Sequence, residues 1–343
     1  MSASLQALPA RHPRRSAFTL IELLVVILVI GILVALLLPA VRSVQRVVFE
    51  TTLTTEIVQL EAAVERFKDE FGFYPSDFSE FVDANGNALG IDDPIVLPQF
   101  NGVTVRTRLK QMLAKISPSH NEDSGASPTP LENWWNDVGV FLAVDPSQPA
   151  VREKRLRGPT VALWFWTTQL FKDAQYPLSG PRDSGGVLLA DAEQRSFFDF
   201  PAASLEVVAD VPGYFNSLNY QIARVVQSRS STPLVYFHNK TYLLDPTVPL
   251  PGTPPTVIDF GADDHSGAPN FACACRNPTV LNPPGGVQNA LISPASFQIL
   301  APGYDESFGD VSNASVSESY DNLTNFAPGR LDGYVEDFVE SNQ

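Results

Sequence analysis

The hydrophobic pattern changes character twice along the chain. From Phe18 to Leu38 the run FTLIELLVVILVIGILVALLL is apolar on nearly every face, with Thr19 and Glu22 as its polar members. At about 1.5 Å per residue, a helix of that length spans roughly 30 Å, the thickness of a bilayer core. Between residues 40 and 72 apolar positions recur mainly at three- and four-residue spacing: Val41, Val44, Val48, Ile57, Leu60, Val64, Phe67 and Phe71. Arg42, Arg46, Glu56, Glu61, Glu65 and Lys68 fall on other faces, which predicts an amphipathic helix with one stripe able to cover a sheet. Gly72 before Phe73-Tyr74-Pro75 supplies the stop, since Gly suits a left-handed cap and Pro prevents resumption. Pro39 lacks an N–H and clashes with the carbonyl four residues back, so a kink is expected there, and Gly31 weakens the span locally. Both are hinge candidates, and both residue types also occur as ordinary members of membrane helices.

Residues 76–290 read differently. Polar or Gly/Pro-rich stretches at 83–94, 117–133, 145–160, 177–186, 228–233 and 245–270 interrupt short apolar runs, the pattern of a loop-rich globular region. Leu163-Trp164-Phe165-Trp166 through Phe171 predicts a buried helix after Pro159, whereas Pro233–His238 and Tyr242–Leu244 predict strands joined at Asn239-Lys240. The four tryptophans are expected in the core, and the stretch from Pro246 to Pro255 as an extended loop.

Composition sharpens this. With 44 % hydrophobic and 18 % charged residues the chain has the apolar material for a real core. Its formal charge of −15 disfavours nucleic acid as a partner. Arg152, Lys154, Arg155 and Arg157 form a basic cluster, expected to pair with acids between subunits. Cys273 and Cys275, one residue apart, match no zinc pattern and leave a strained local disulfide or two free thiols as alternatives.

Arg11, Arg14 and Arg15 precede the apolar run with no acid among them, so this end is expected to stay in the cytoplasm while residues after Leu38 emerge on the other side. The run is too long for the core of a secretory signal. A plain anchor explains its length but gives no reason for Glu22, since a carboxylate inside an apolar span costs about 2–3 kcal/mol.

Arg15-Ser16-Ala17, Phe18-Thr19-Leu20-Ile21-Glu22, the apolar run with Gly31, and Pro39 at its end closely resemble the type IV prepilin class. The resemblance implies cleavage between Ala17 and Phe18 by a dedicated prepilin peptidase and N-methylation of Phe18. It also implies that Glu22 pairs with the new amino group of a neighbouring subunit, setting the axial register of a filament. Ala17 stands where the family usually has Gly. The segment Glu56–Pro75 with its Gly-x-Tyr-Pro ending also looks like the helix end of the major pseudopilin of type II secretion. The implied architecture is α+β: a long N-terminal helix packed on an antiparallel β-sheet domain with large loop-rich insertions. The expected divisions are a leader at 1–17, an assembly half-helix at 18–39, an amphipathic half-helix at 40–73 and a globular region at 74–343. The implied partners are prepilin peptidase, like and unlike pilin-type subunits, an inner-membrane assembly platform and lipid. The implied place is the bacterial inner membrane, crossed once, with the globular region periplasmic. A type IV pilus or DNA-uptake pilin, or a periplasmic binding or enzymatic module on a prepilin-type anchor, are the alternatives.

Near the C-terminus a strand-like run, Phe297–Ala301, leads into Pro302-Gly303-Tyr304-Asp305, with Asp321-Asn322-Leu323 following. Acids around a Gly turn suit calcium, which takes six to eight oxygen ligands. The layout is similar to the C-terminal calcium loop of major pseudopilins, which implies Asp305 and Asp321 as carboxylate ligands and the Pro302 carbonyl as a backbone ligand. Asp83, Asn85 and Asn87 mimic the first ligands of an EF-hand loop, but Ala88 and Pro94 stand where Gly and Glu belong. No nucleophile elbow, zinc helix, phosphate loop or dinucleotide fingerprint occurs. His120, His238 and His265 are expected to be surface or structural residues, and no enzyme activity is expected.

Overall fold

The computed structural model of the 343-residue chain describes residues 20–97, 100, 102–183, 188–189, 191–215, 218–227, 232–239, 257–262, 269–273, 296–304, 306–308 and 322–326. Two compact units divide at Val48 and Phe49. The described part of the first is helical from Leu20, within helix α1 (Leu20–Phe71). The helix runs without interruption through Gly31 and Pro39.

In the second unit the stop expected at Gly72 is present. Gly72 has φ +76°, and its N–H donates to the Lys68 carbonyl at 2.6 Å, closing the helix end in the left-handed manner that glycine permits. The amphipathic stripe is buried only from Leu53 onward, through Ile57, Leu60, Val64, Phe67 and Phe71. Val41, Val44 and Val48 remain exposed, so the expectation that one stripe covers a sheet from residue 41 is corrected.

Five shorter helices follow: α2 (Val105–Ile116), α3 (Pro130–Trp134), α4 (Val140–Ala143), α5 (Arg152–Arg155) and α6 (Gly158–Thr168). Thr104 caps α2 by accepting from the Thr107 N–H. Thr129 and Glu132 form a reciprocal capping box on α3, which satisfies two otherwise orphaned N–H groups. A π-helical turn, Trp135–Gly139, links α3 to α4. Arg106 at the start of α2 reaches Asp92 at 2.7 Å, Asp123 at 2.6 Å and Glu132 at 2.5 Å, tying two loops and α3 to one cation. The helix expected after Pro159 is α6, shorter than predicted. It ends at Thr168, and Phe171 instead bridges to Gln194.

All strand pairings are antiparallel, as expected, but among the described residues they form three small sheets. β1 (Leu205–Phe215) pairs with β2 (Leu218–Val225), with a register shift between Val207 and Ala209. β3 (Val235–His238) pairs with β6 (Phe297–Ala301), and β6 also with β7 (Leu323–Thr324). β4 (Val257–Ala262) pairs with β5 (Pro269–Cys273). β4 lies inside the stretch 245–270 expected to be loop, because Val257, Ile258 and Phe260 give a strand too short to outweigh its polar surroundings. Residues 242–244 and 246–255, Cys275 and His265 lie outside the described residues.

One core cluster holds this unit together. Phe67 packs edge-on against Phe71 at 4.7 Å, Phe73 at 5.5 Å and Trp166 at 5.9 Å. Phe78 stacks on Trp166 at 5.4 Å. Trp134, Trp135, Trp164 and Trp166 are all buried, as expected of core tryptophans. Phe78 holds a left-handed backbone at φ 61°, uncommon for a bulky residue. Gly158 opposes it: a Cβ there would lie 2.2 Å from the Asp77 carbonyl oxygen, so α6 approaches this turn only with glycine at its start.

The turn itself is a buried polar hub. Asp77 accepts from the Ser79 N–H at 3.0 Å with one oxygen and from the His238 main-chain N–H at 2.9 Å with the other. Trp166 Nε1 donates to the Ser76 carbonyl at 2.7 Å and the Tyr236 hydroxyl to the Pro75 carbonyl at 2.8 Å. Partners from α6 and β3 therefore satisfy a segment that is itself fully buried, as buried polar groups require. Replacing the fully buried Phe67 with Ala is expected to destabilise the protein by about 3–5 kcal/mol in urea unfolding. The Val58→Ala change on the exposed face is expected to stay within about 0.5 kcal/mol.

Candidate functional site

The assembly segment comes first in the chain. Every described large apolar side chain from Leu20 to Leu38 is exposed, by between 46 and 81 %. Soluble monomers rarely leave so continuous an apolar surface uncovered. Among the described residues this is also the helix long and apolar enough to cross a membrane. Glu22 sits in its first turn and is exposed on it, where the helix dipole favours a negative charge. A Cβ at Gly31 would touch nothing within 4 Å, so glycine is not required there by packing within the chain. Ala17 and Phe18 lie outside the described residues.

The C-terminal loop is built where β6 runs out between its two partners. Leu300 and Ala301 face Thr324 and Leu323 across the β6–β7 pair. Asn325 Oδ1 accepts from the Ile299 N–H at 2.8 Å, and Asn322 Nδ2 donates to the Phe308 carbonyl at 3.2 Å. Pro302 is buried and its carbonyl accepts from Gln227 Nε2 at 2.8 Å, leaving one lone pair for another partner. Beyond it the chain turns, with the Glu306 N–H donating to the Gly303 carbonyl at 3.1 Å. The strands flanking the acidic loop are thus brought side by side, although Asp305 and Asp321 lie outside the described residues. Among the described residues Asn322 Oδ1 and Gln227 Oε1 are buried acceptors with no hydrogen-bond donor, a deficit that a hard cation relieves. Among the described residues no group of three or more His, Cys, Asp or Glu side chains converges on a metal-sized site.

The EF-hand mimic is a hairpin turn. Asp83 Oδ1 accepts from the Asn85 and Asn87 N–H groups, both at 2.8 Å. Burial opposes ionisation of Asp83, but these bonds and the charge of Arg152 outweigh it and hold its carboxyl below the usual range.

For the basic cluster the expectation of pairing between subunits is corrected at two positions. Arg152 is buried, donating to the Val82 and Asp83 carbonyls at 2.5 and 2.7 Å and to the Ser79 carbonyl at 3.0 Å. Arg157 is buried against Asp145 at 2.8 Å and the Phe141 carbonyl at 3.1 Å. Their guanidiniums serve the fold because partners from other parts of the chain converge on α5 and on Arg157 just before α6. Lys154, Arg155 and Arg157 also line a cleft of about 260 Å³ with Arg224, Asp145 and Asp259. Sequence reading missed this cleft and Gln227 alike. The partner strands lie far along the chain, and no motif marks them.

Of the histidines, His120 is half-buried and His238 is buried. His238 is buried on β3, and burial lowers the pKa of His120, with Lys110 acting in the same direction.

Residues 12–38 match the family described as the prokaryotic N-terminal methylation motif. With the apolar helix, this places the N-terminal segment in the type IV pilin-like family and marks the chain as a pilin-like protein processed by prepilin peptidase. No curated protein and no solved structure matches the chain.

Proposed function

We propose that this chain is a pseudopilin-type structural subunit of a type II secretion filament. The carrying observation is the methylation motif leading into an exposed apolar helix with Glu22 in its first turn. After cleavage between Ala17 and Phe18, the methylated Phe18 ammonium of one subunit pairs with Glu22 of the next. In a low dielectric that attraction is strong, and each group offsets the other's burial penalty. Gly31 and Pro39 lie between the assembly end and the amphipathic part of the helix, where loosening adjusts each subunit to its neighbours.

The arginines ahead of the span orient it with its N-terminus in the cytoplasm and the second unit in the periplasm. Assembly takes place on an inner-membrane platform, with like and unlike pilin-type subunits. The chain acts by polymerising and carries no catalytic step in this reading. The secretion assignment over a surface pilus rests on the Gly72-Phe73-Tyr74-Pro75 helix end and the acidic C-terminal loop. Deleting the gene is expected to abolish exoprotein secretion while twitching and DNA uptake continue. Intact secretion with lost twitching would reassign the chain to a surface pilus.

We further propose calcium in the C-terminal loop, held by Asp305, Asp321 and the Pro302 carbonyl. Two buried acceptors without donors among the described residues, Asn322 Oδ1 and Gln227 Oε1, support a cation nearby. Bound there, calcium neutralises the acids and pins the loop to the end of β6. Chelation and the Asp305→Ala change are each expected to lower the melting temperature, with no additive effect. Identical melting with and without chelator removes calcium from the account.

A further inference from the structure

We propose that the cleft between α5, β1, β2 and β4 receives a carboxylate side chain presented by a second copy of this chain. The proposal rests on the filament reading and adds a lateral contact to it. Four cations, Lys154, Arg155, Arg157 and Arg224, line the cleft against two carboxylates, Asp145 and Asp259. This local excess of positive charge sits on a chain whose formal charge is −15.

The cations are unequally matched inside the chain. Arg157 has Asp145 at 2.8 Å and Arg224 has Glu206 at 2.8 Å. Lys154, 44 % exposed at its side chain, has Asp259 only at 3.7 Å. Arg155 donates to the Gln148 and Pro149 carbonyls and to Asn87 Oδ1, all neutral acceptors, and among the described residues no carboxylate lies within ion-pair distance of it. Arg157 and Arg224 also repel one another across the cleft, adding to the effect of burial on Arg157. A further anion at the rim is therefore favoured by several charges at once.

The walls decide what carries that anion. Val208, Ile258 and Phe260 line the cleft beside the cations. An inorganic oxyanion gains nothing from apolar walls, whereas the methylene stem of a Glu or Asp packs on them while its carboxylate meets the cations. The cleft is smaller than a typical site for an organic ligand, roughly 300–1,000 Å³, and accommodates one side chain. A neighbouring copy offers many such groups, with 38 acidic residues against 23 basic ones.

The test uses the processed chain, beginning at methylated Phe18, half of it isotope-labelled, copolymerised from detergent and treated with a zero-length carbodiimide, which joins a carboxylate to an amine in contact with it. Ultracentrifugation reads polymer formation separately from mass spectrometry of the linked peptides. The expected product joins Lys154 of one isotopic form to an Asp or Glu of the other. Arg155→Gln, which leaves the Lys154 amine in place, is expected to cut that product several-fold while the intrachain link from Lys154 to Asp259 persists. Polymer that pellets but links Lys154 only within single chains overturns the cleft assignment and leaves the filament reading standing. The same holds if inorganic phosphate protects Lys154 and no interchain link forms. Failure to pellet counts against the filament reading itself, and the cleft assignment falls with it.

Discussion

A carboxylate near the start of an otherwise apolar helix is the constraint around which the molecule is organised. In water Glu22 is unremarkable, and the helix dipole even favours it. In hydrocarbon the same group costs about 2–3 kcal/mol, so a helix that enters a membrane with it is stabilised by any arrangement that delivers a cation to that depth. In the proposed assembly, cleavage of the leader supplies one at Phe18, four residues away in sequence. The next subunit can use it only if the two helices stand in a fixed axial offset. In that proposal one charge pair converts an anchor into a registering device, and the apolar side chains exposed from Leu20 to Leu38 are the surface offered to neighbouring subunits and lipid.

The second unit answers a different constraint, the need to satisfy buried polar groups in a region with little regular structure. The turn after α1 does this with long-range partners. Asp77, Ser79 and Glu80 are fully buried, and besides local hydrogen bonds residues 75–83 receive partners from α2, α5, α6 and β3. Lone buried polar groups are costly, whereas a hydrogen-bonded network favours one arrangement. Among the described residues three small sheets and six α-helices can therefore share a single core without one large sheet to organise them.

How far the sequence discloses this depends on the range of the interactions. Local signals are legible: Gly72 as the helix stop, the helix after Pro159, the strand ending at His238, and the burial of all four tryptophans each follow from spacing or residue chemistry. The methylation motif is legible for the same reason, since leader, Glu22 and apolar run are contiguous. Long-range pairing is not. The stripe at Val41, Val44 and Val48 has the same period as the buried one from Leu53 onward, and only tertiary structure distinguishes them. Arg152 and Arg157 read as surface charge because Ser79, Val82 and Asp145 are not marked in sequence as their partners. At the C-terminal loop, sequence names Asp305, Asp321 and Pro302, while the pairing of β6 with β7 and the approach of Gln227 emerge from the fold.

The most direct measurement of the central claim is the polymer yield of a Glu22→Gln chain that still enters the membrane and loses its leader. The amide keeps the size and polarity of the side chain but removes its charge. The account predicts processed protein that stays in the membrane and forms no sheared or pelletable filament. Filaments at the level of the unaltered chain would contradict it.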